Sequence, residues 1–169
     1  MRVEFLGTGT STGVPMIGCR CDVCRSKDSR DRRLRSSVCL TVDDKNILID
    51  CGPDFRQQML RSGIDHIDAV LLTHEHYDHT SGLDELRNFS RNNPIPIYAE
   101  PNVLDIIHQR LFYCFSEQPN PGVAHLELKA IENLSPFTLF GIDIEPVRVW
   151  HYRLPIIGCL LYTSPSPRD

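Results

Sequence analysis

The segment Thr73-His74-Glu75-His76-Tyr77-Asp78-His79 carries the pattern H-x-H-x-D-H, which puts three imidazoles and the Asp78 carboxylate within one short run. On a helix, residues two apart point about 200° from one another, so His74 and His76 would not face one ion as the pair in a helical H-E-x-x-H motif does. On an extended turn leaving a strand they share a side and can grip one cation, while Asp78 and His79 turn towards a second. A mixed imidazole and carboxylate set suits zinc, manganese or iron. The stretch before it, Ile67-Asp68-Ala69-Val70-Leu71-Leu72-Thr73, reads as a strand covered on both faces. Ligands at the C-terminal mouth of such a strand lie where sheet enzymes place their sites. The bland alternative is a solvated loop rich in histidine, and so dense a set of ligands on a buried strand argues against it.

Two further clusters carry chemistry. Cys19, Cys21 and Cys24 form C-x-C-x-x-C, and three thiolates this close suit a zinc that completes its tetrahedron with one more ligand. Clustering among the seven cysteines favours reduced thiols and metal ligation over a disulfide framework. Cys39, Cys51, Cys114 and Cys159 lie in apolar contexts and read as packing residues. Arg30, Arg32, Arg33 and Arg35 form a cationic run that is either a solvated face or a phosphate clamp, since guanidinium forks match phosphate oxygens. In the second case Arg32, Arg33, Arg35 and the hydroxyl of Ser36 are the substrate-binding candidates. His66, His108 and His125 match no motif and read as surface or satisfied core residues.

The elements that must position these groups alternate irregularly. Val3 to Leu6 predicts a short strand, closed by Gly7-Thr8-Gly9-Thr10-Ser11-Thr12-Gly13. The third glycine is one residue late for a dinucleotide fingerprint, and Val14-Pro15 does not open a helix, so these glycines read as a turn that lets the backbone approach its surroundings closely. Val38 to Val42 and Asn46 to Asp50 predict a hairpin around Asp43-Asp44-Lys45. Asp54 is placed to cap a helix over Phe55 to Arg61 that stops at Gly63. Ser81 to Phe89 predicts a helix with Leu83, Leu86 and Phe89 on one stripe. Pro94 to Tyr98 is a strand, and Pro101 opens a helix that buries Val103, Leu104, Ile107 and Leu111. A second hairpin, Phe137 to Phe140 and Ile142 to Val149, turns at Gly141. The class is mixed α and β in one domain.

The run Thr-His-Glu-His-Tyr-Asp-His-Thr-Ser-Gly-Leu, from Thr73 to Leu83, resembles the signature of the metallo-β-lactamase superfamily. Ile49-Asp50-Cys51-Gly52 is similar to that superfamily's strand-ending aspartate. Leu6-Gly7-Thr8-Gly9, Gly18-Cys19-Arg20-Cys21-Asp22-Val23-Cys24 and Arg32-Arg33-Leu34-Arg35-Ser36-Ser37 resemble the PhnP-like phosphodiesterase branch. The resemblance implies a four-layer αββα sandwich over residues 1–160, with two zinc or manganese ions at one edge. His74, His76 and His151 would hold the first metal and Asp78 and His79 the second, with Asp78 also orienting the nucleophile. Asp50 would support the ligand loop from behind, and the cysteine trio, with a late histidine, would hold a structural zinc.

The same pattern asks for a metal-bridging aspartate after the strand that follows His151, and for a late histidine. Residues 161–169, Leu-Tyr-Thr-Ser-Pro-Ser-Pro-Arg-Asp, are a poor match to either and read as a non-native or disordered tail. The fold is therefore expected to be incomplete at its C-terminus, and this polypeptide alone to hold at most one metal firmly in the histidine site, with little or no turnover.

Hydrophobic residues at 41% and charged residues at 24% are the balance of an ordinary globular protein. A net charge of −4 argues against a general nucleic-acid binder. The N-terminus has no basic and apolar leader pattern, and no apolar run is long enough for a membrane span, so a cytoplasmic location is expected. The expected function is metal-dependent hydrolysis of a small cyclic or sugar phosphodiester, by a hydroxide whose pKa a metal pair lowers from about 16 towards neutrality. No membrane and no nucleic-acid partner are expected; a homodimer is compatible with the sequence. The alternatives are an RNase Z-like nuclease, a glyoxalase II-like thioesterase or lactonase, and a non-catalytic zinc-binding fragment.

Overall fold

The computed structural model describes residues 1–118 and 120–159. Its frame is a six-stranded sheet in the order β1 (Arg2–Gly7), β2 (Ser37–Val42), β3 (Lys45–Ile49), β4 (Ala69–Leu71), β5 (Ile95–Ala99), β6 (Leu126–Ala130). The β1–β2 and β2–β3 pairs are antiparallel; from β3 to β6 neighbouring strands run parallel. β6 was not foreseen, because Leu126-Glu127-Leu128-Lys129-Ala130 is an edge strand whose alternation is short and half-exposed.

The strand period of two sorts the core. Cys39, Leu48, Val70, Leu72 and Ile97 point to one face, where α2 (Phe55–Ser62), which follows the single turn α1 (Asp22–Arg25), and α4 (Pro101–Arg110) cover them with Phe55, Met59, Val103, Leu104 and Ile107. Leu40, Ile47, Ala69 and Leu71 point to the other face. There they meet Phe137, Leu139, Ile142 and Ile144 of the hairpin β7 (Phe137–Leu139) and β8 (Ile142–Ile144). A second hairpin, β9 (Pro146–His151) with β10 (Leu154–Cys159), follows. The order is thus helices, sheet, hairpins: a mixed α and β architecture, with three of the expected four layers among the described residues. The site lies at the C-terminal ends of β3 and β4.

Several expectations shift in detail. The Leu83–Asn88 segment is a 3-10 helix where an α-helix was expected, although it still buries Leu83 and Leu86. The predicted strand from Ile142 to Val149 divides near Pro146, which has no N–H for a ladder. Asp54 does precede α2, yet makes no side-chain cap; its carboxylate is taken by Arg35. Cys39, Cys51 and Cys114 are buried, and burial pushes the Cys39 thiol up to about 11. The tail at residues 161–169 and the side chain of Cys159 lie outside the described residues. Among the described residues no helix is long and apolar enough to cross a membrane.

Candidate metal centre

The ligand run leaves β4 as an extended segment to His76 and then makes one helical turn, α3 (Tyr77–Thr80). The extended part lets His74 and His76 share a side, and the turn swings Asp78 and His79 back over the sheet. Backbone hydrogen bonds staple this turn to the end of β3: Cys51 N–H donates to the His79 carbonyl at 2.7 Å and Gly82 N–H to the Cys51 carbonyl at 2.8 Å. Gly52 is required here, because a Cβ on it would collide with the Asp78 carbonyl oxygen.

Asp50 is the hub. It is 5% exposed and accepts from the Thr73 backbone N–H at 2.8 Å, the Thr73 hydroxyl at 2.9 Å and His79 Nδ1 at 2.6 Å. Thr73 also lies 2.8 Å from His74 Nδ1. The threonine has one hydroxyl proton and gives it to an acceptor-only carboxylate, so His74 Nδ1 must be the donor in its own contact. One carboxylate thus orients two imidazoles, His79 directly and His74 through Thr73. Both then present Nε2 to the site.

His74 Nε2 is buried and has no hydrogen-bond partner among the described residues. An orphaned buried acceptor costs about 1–3 kcal/mol, so its place in this structure needs a reason. A cation supplies one. One ligand atom from each of His74, His76 and His151 lies within 4.8 Å of the others. Nitrogens on a tetrahedral zinc at about 2.0–2.1 Å sit about 3.4 Å apart, which small side-chain movements reach from here. Burial, and then the neighbouring His79, pull His74 down to about 4, so it is a neutral ligand at physiological pH. For His79 burial works against the charge, but the hydrogen bond and charge of Asp50, with Asp78, outweigh it and raise its pKa. Asp78 Oδ2 lies 3.2 Å from His79 Nε2, so these two donors converge beside the histidine trio.

His151 ends β9 and reaches the site because its hairpin is anchored at two points. Arg148 forks onto the Glu100 carboxylate, with Nη1 to Oε2 at 2.7 Å, and Ile157 N–H donates to the Thr73 carbonyl at 3.1 Å. Its ring centroid lies 5.8 Å from that of His74 and 5.4 Å from that of His76. The cleft has a volume of about 600 Å³ and is lined by Ser11, His74, His76, Asp78, His79, His151 and Ile156.

Sequence reasoning missed Arg110, the last residue of α4. Its Nη1 donates to the Glu75 carbonyl and lies 3.3 Å from the Thr80 hydroxyl, which itself donates to the His76 carbonyl at 3.0 Å. One guanidinium therefore ties both ends of the ligand turn to the helix layer. Arg110→Ala is expected to leave the fold intact and weaken metal affinity about 10- to 100-fold, the range for residues that orient ligands. Competition with a chromogenic chelator measures this; an unchanged affinity would show that the staple to β3 suffices.

The cysteine trio converges as expected, with one ligand atom of each of Cys19, Cys21 and Cys24 within 4.8 Å of the others. Hydrogen bonds from the Cys24 backbone and from Cys19 pull the Cys21 thiol down, favouring the thiolate a metal needs. The arginine run, in contrast, is not gathered into the cleft. Arg30 forks onto Asp28, with Nη2 to Oδ2 at 2.6 Å, and Arg32 and Arg33 are exposed. Arg35 pairs with Asp54 at 2.8 Å, and the Ser36 hydroxyl donates to the Gly9 carbonyl at 3.2 Å. His66 and His125 are exposed, and His108 stacks on Phe115.

Residues 45–165 match the family model of the beta-lactamase superfamily domain. The chain belongs to the β-lactamase superfamily. In structure it is similar to the crystal structure of a diphosphatase from the PhnP family, with a TM-score of 0.84 and 40% identity, covering 94% of this chain and 60% of that one. It is also similar to Zn(2+)-bound PqqB from Methylobacterium extorquens, with a TM-score of 0.69 and 29% identity over 88% of this chain and 52% of that one. In sequence it is 53% identical, over 94% of its length, to an octanoyltransferase of Porphyromonas gingivalis (strain ATCC BAA-308 / W83), of which it covers 32%. The chain thus spans from 32% to 60% of the length of these relatives. Its mixed α and β fold is that of the metallo-β-lactamases.

Proposed function

We propose that the protein is a metal-dependent hydrolase of phosphate esters, acting on a small cyclic or sugar phosphodiester. The observation that carries the metal chemistry is the orphaned, buried Nε2 of His74, facing His76 and His151 with Asp78 and His79 alongside. Phosphoryl hydrolysis is supported by the 40% identity to the PhnP-family diphosphatase, and the phosphodiester class by the resemblance of the cysteine and arginine motifs to the PhnP-like phosphodiesterase branch. Octanoyl transfer is not carried over from a relative of which this chain covers 32%.

In this reading His74, His76 and His151 hold one cation, and Asp78 and His79 contribute to a second. Zinc or manganese bound there supplies Lewis acidity and brings the pKa of water towards neutrality. The protein's own groups do the rest. Asp50 keeps His74 and His79 in the Nδ1–H form, so that both ligand lone pairs stay available. The Asp78 carboxylate accepts a hydrogen bond from the attacking water and orients it. A cleft of about 600 Å³ is of the size that takes a small ligand. The cysteine trio holds a structural zinc in the same reading.

The test is hydrolysis of a cyclic phosphodiester, a chromogenic phosphodiester, a thioester and a lactone by zinc- and manganese-loaded protein whose C-terminal ligands are restored, beside residues 1–169 alone, which are expected to turn over little or nothing. Phosphodiester cleavage is expected, and Asp78→Ala is expected to lower it by about 10³-fold, from a misoriented nucleophile and a weakened second site. Cleavage of the thioester or lactone with both phosphodiesters intact would overturn the substrate class.

A further inference from the structure

The loop from Gly7 to Val14 forms one lip of the cleft, and the chain holds it there with unusual care. Gly9 N–H donates to the Leu34 carbonyl at 2.7 Å, and Val14 and Arg33 exchange backbone hydrogen bonds at 2.9 and 2.8 Å. Gly7 lies so close to the same segment that a Cβ on it would collide with the Arg35 carbonyl oxygen. Gly13 N–H donates to the Thr10 carbonyl at 2.9 Å, closing a turn with Ser11 and Thr12 at its tip. Such a tip is ordinarily free to move, since both residues are exposed.

Here the tip is tethered. Arg35 Nε donates to the Ser11 carbonyl at 2.8 Å, and Arg35 Nη1 pairs with Asp54 Oδ1 at 2.8 Å. Asp54 Oδ2 accepts from the Arg35 backbone N–H at 2.8 Å, and Gln58 Nε2 donates to the Arg35 carbonyl at 2.9 Å. The backbone and side chain of Arg35 are therefore fixed by two residues at the start of α2. With side-chain exposures of 25% and 17%, the Arg35–Asp54 pair is partly shielded and directional, more than a loose surface ion pair. A guanidinium neutralised by Asp54 and committed to a carbonyl is poorly placed to clamp a phosphate itself. Its effect is to hold Ser11, which lines the cleft. No hydrogen bond among the described residues engages the Ser11 hydroxyl, while Ile156, also in the lining, offers no polar atom.

We infer that Ser11 is a substrate-contacting residue whose hydroxyl donates to a phosphoryl oxygen of the ester, and that Arg35 is the positioning residue that holds it. The inference rests on the proposed phosphodiester hydrolysis for its substrate and on the tether for its geometry. It turns Arg35 from an anion clamp into a strut and gives the glycine-rich turn a role in specificity.

The experiment uses zinc- or manganese-loaded protein with its C-terminal ligands restored, so that turnover can be read, carrying Ser11→Ala, Arg35→Lys or both, with metal content measured in each. Two readouts are taken: kcat and KM for a phosphodiester, and direct titration with inorganic phosphate. Ser11→Ala is expected to leave metal content unchanged, lower kcat/KM about tenfold and weaken phosphate binding by a similar factor, the size of one hydrogen bond to a charged oxygen. Arg35→Lys is expected to act in the same direction, and the double variant to be no worse than the larger single effect, since both remove one contact. Effects that multiply would show that Arg35 meets the phosphate directly and overturn the strut. Ser11→Ala within twofold of the parent in both readouts would overturn the contact, with the hydrolase reading intact. If the parent cleaves no phosphodiester, that reading falls, and the phosphate titration decides alone: tenfold weaker binding in Ser11→Ala supports the contact. Equal binding, or none in either protein, overturns it. Ser11→Ala sits on an exposed turn, so its outcome does not hinge on whether Arg35→Lys folds.

Discussion

In the chain with its C-terminal ligands restored, His76→Ala is expected to empty the histidine site and reduce hydrolysis to below about one thousandth of the unsubstituted value, with the fold retained. The ring is exposed, so its removal opens no cavity in the core. It is one of three imidazoles whose ligand atoms converge, and losing a ligand should cost more than the 10- to 100-fold loss expected for a residue that only orients one. Elemental analysis after dialysis, with circular dichroism as the control for folding, measures both parts. Acid should release metal in an order set by the two perturbed rings, since protons compete for the same lone pairs. His79, whose pKa is raised, takes up its proton first as pH falls. His74, held at about 4, keeps its lone pair longest. Acidification is thus expected to weaken the Asp78–His79 side before His74 protonates.

Asp50→Ala is expected to cost about 3–5 kcal/mol of stability, the scale for removing one partner of a buried charged contact. It leaves the Thr73 backbone N–H, the Thr73 hydroxyl and His79 Nδ1 without their acceptor. It also frees His74 and His79 to adopt the tautomer that turns the wrong nitrogen to the metal. Asp50→Asn separates the two effects. Asparagine tolerates the positive φ of 60° at this position and keeps one acceptor oxygen. It should recover much of the stability while metal affinity stays depressed by about 10- to 100-fold. Denaturant unfolding of metal-free protein and a chelator competition separate the two quantities. Equal metal affinity in Asp50→Asn and the parent would show that the tautomers are set elsewhere.

Much of the site was legible because its ligands are contiguous. His74, His76, Asp78 and His79 lie on one run, and the apolar residues before it announce a central strand. His151 was harder. Its place depends on the Arg148–Glu100 fork and on one backbone hydrogen bond from Ile157, neither of which leaves a pattern in the sequence, and only the family resemblance pointed to it. Arg110 and Arg35 illustrate the general obstacle. Both serve the site by donating to backbone carbonyls, those of Glu75 and Ser11, 35 and 24 residues away in the chain. A carbonyl is present in every residue, so its partner cannot be read from residue types. In the fold, the strands with buried faces on both sides were visible as apolar runs. The 3-10 segment Leu83–Asn88 was not told from an α-helix, because its buried leucines three apart fit either period. The β8–β9 break was missed because Pro146 sits inside a run that otherwise alternates like one strand.

Metal content of the Cys19→Ser, Cys21→Ser, Cys24→Ser variant, with and without the further change His151→Ala, tests most directly whether the three histidines form a metal site. The cysteine changes remove the other converging ligand group found among the described residues, and the His151→Ala comparison then shows whether the metal still bound is held by the histidine cluster. The expected result is one firmly held zinc or manganese equivalent in the cysteine variant, lost to chelation at far lower chelator concentration once His151 is alanine. Equal retention of metal with and without His151, or no metal in either protein, would contradict the account.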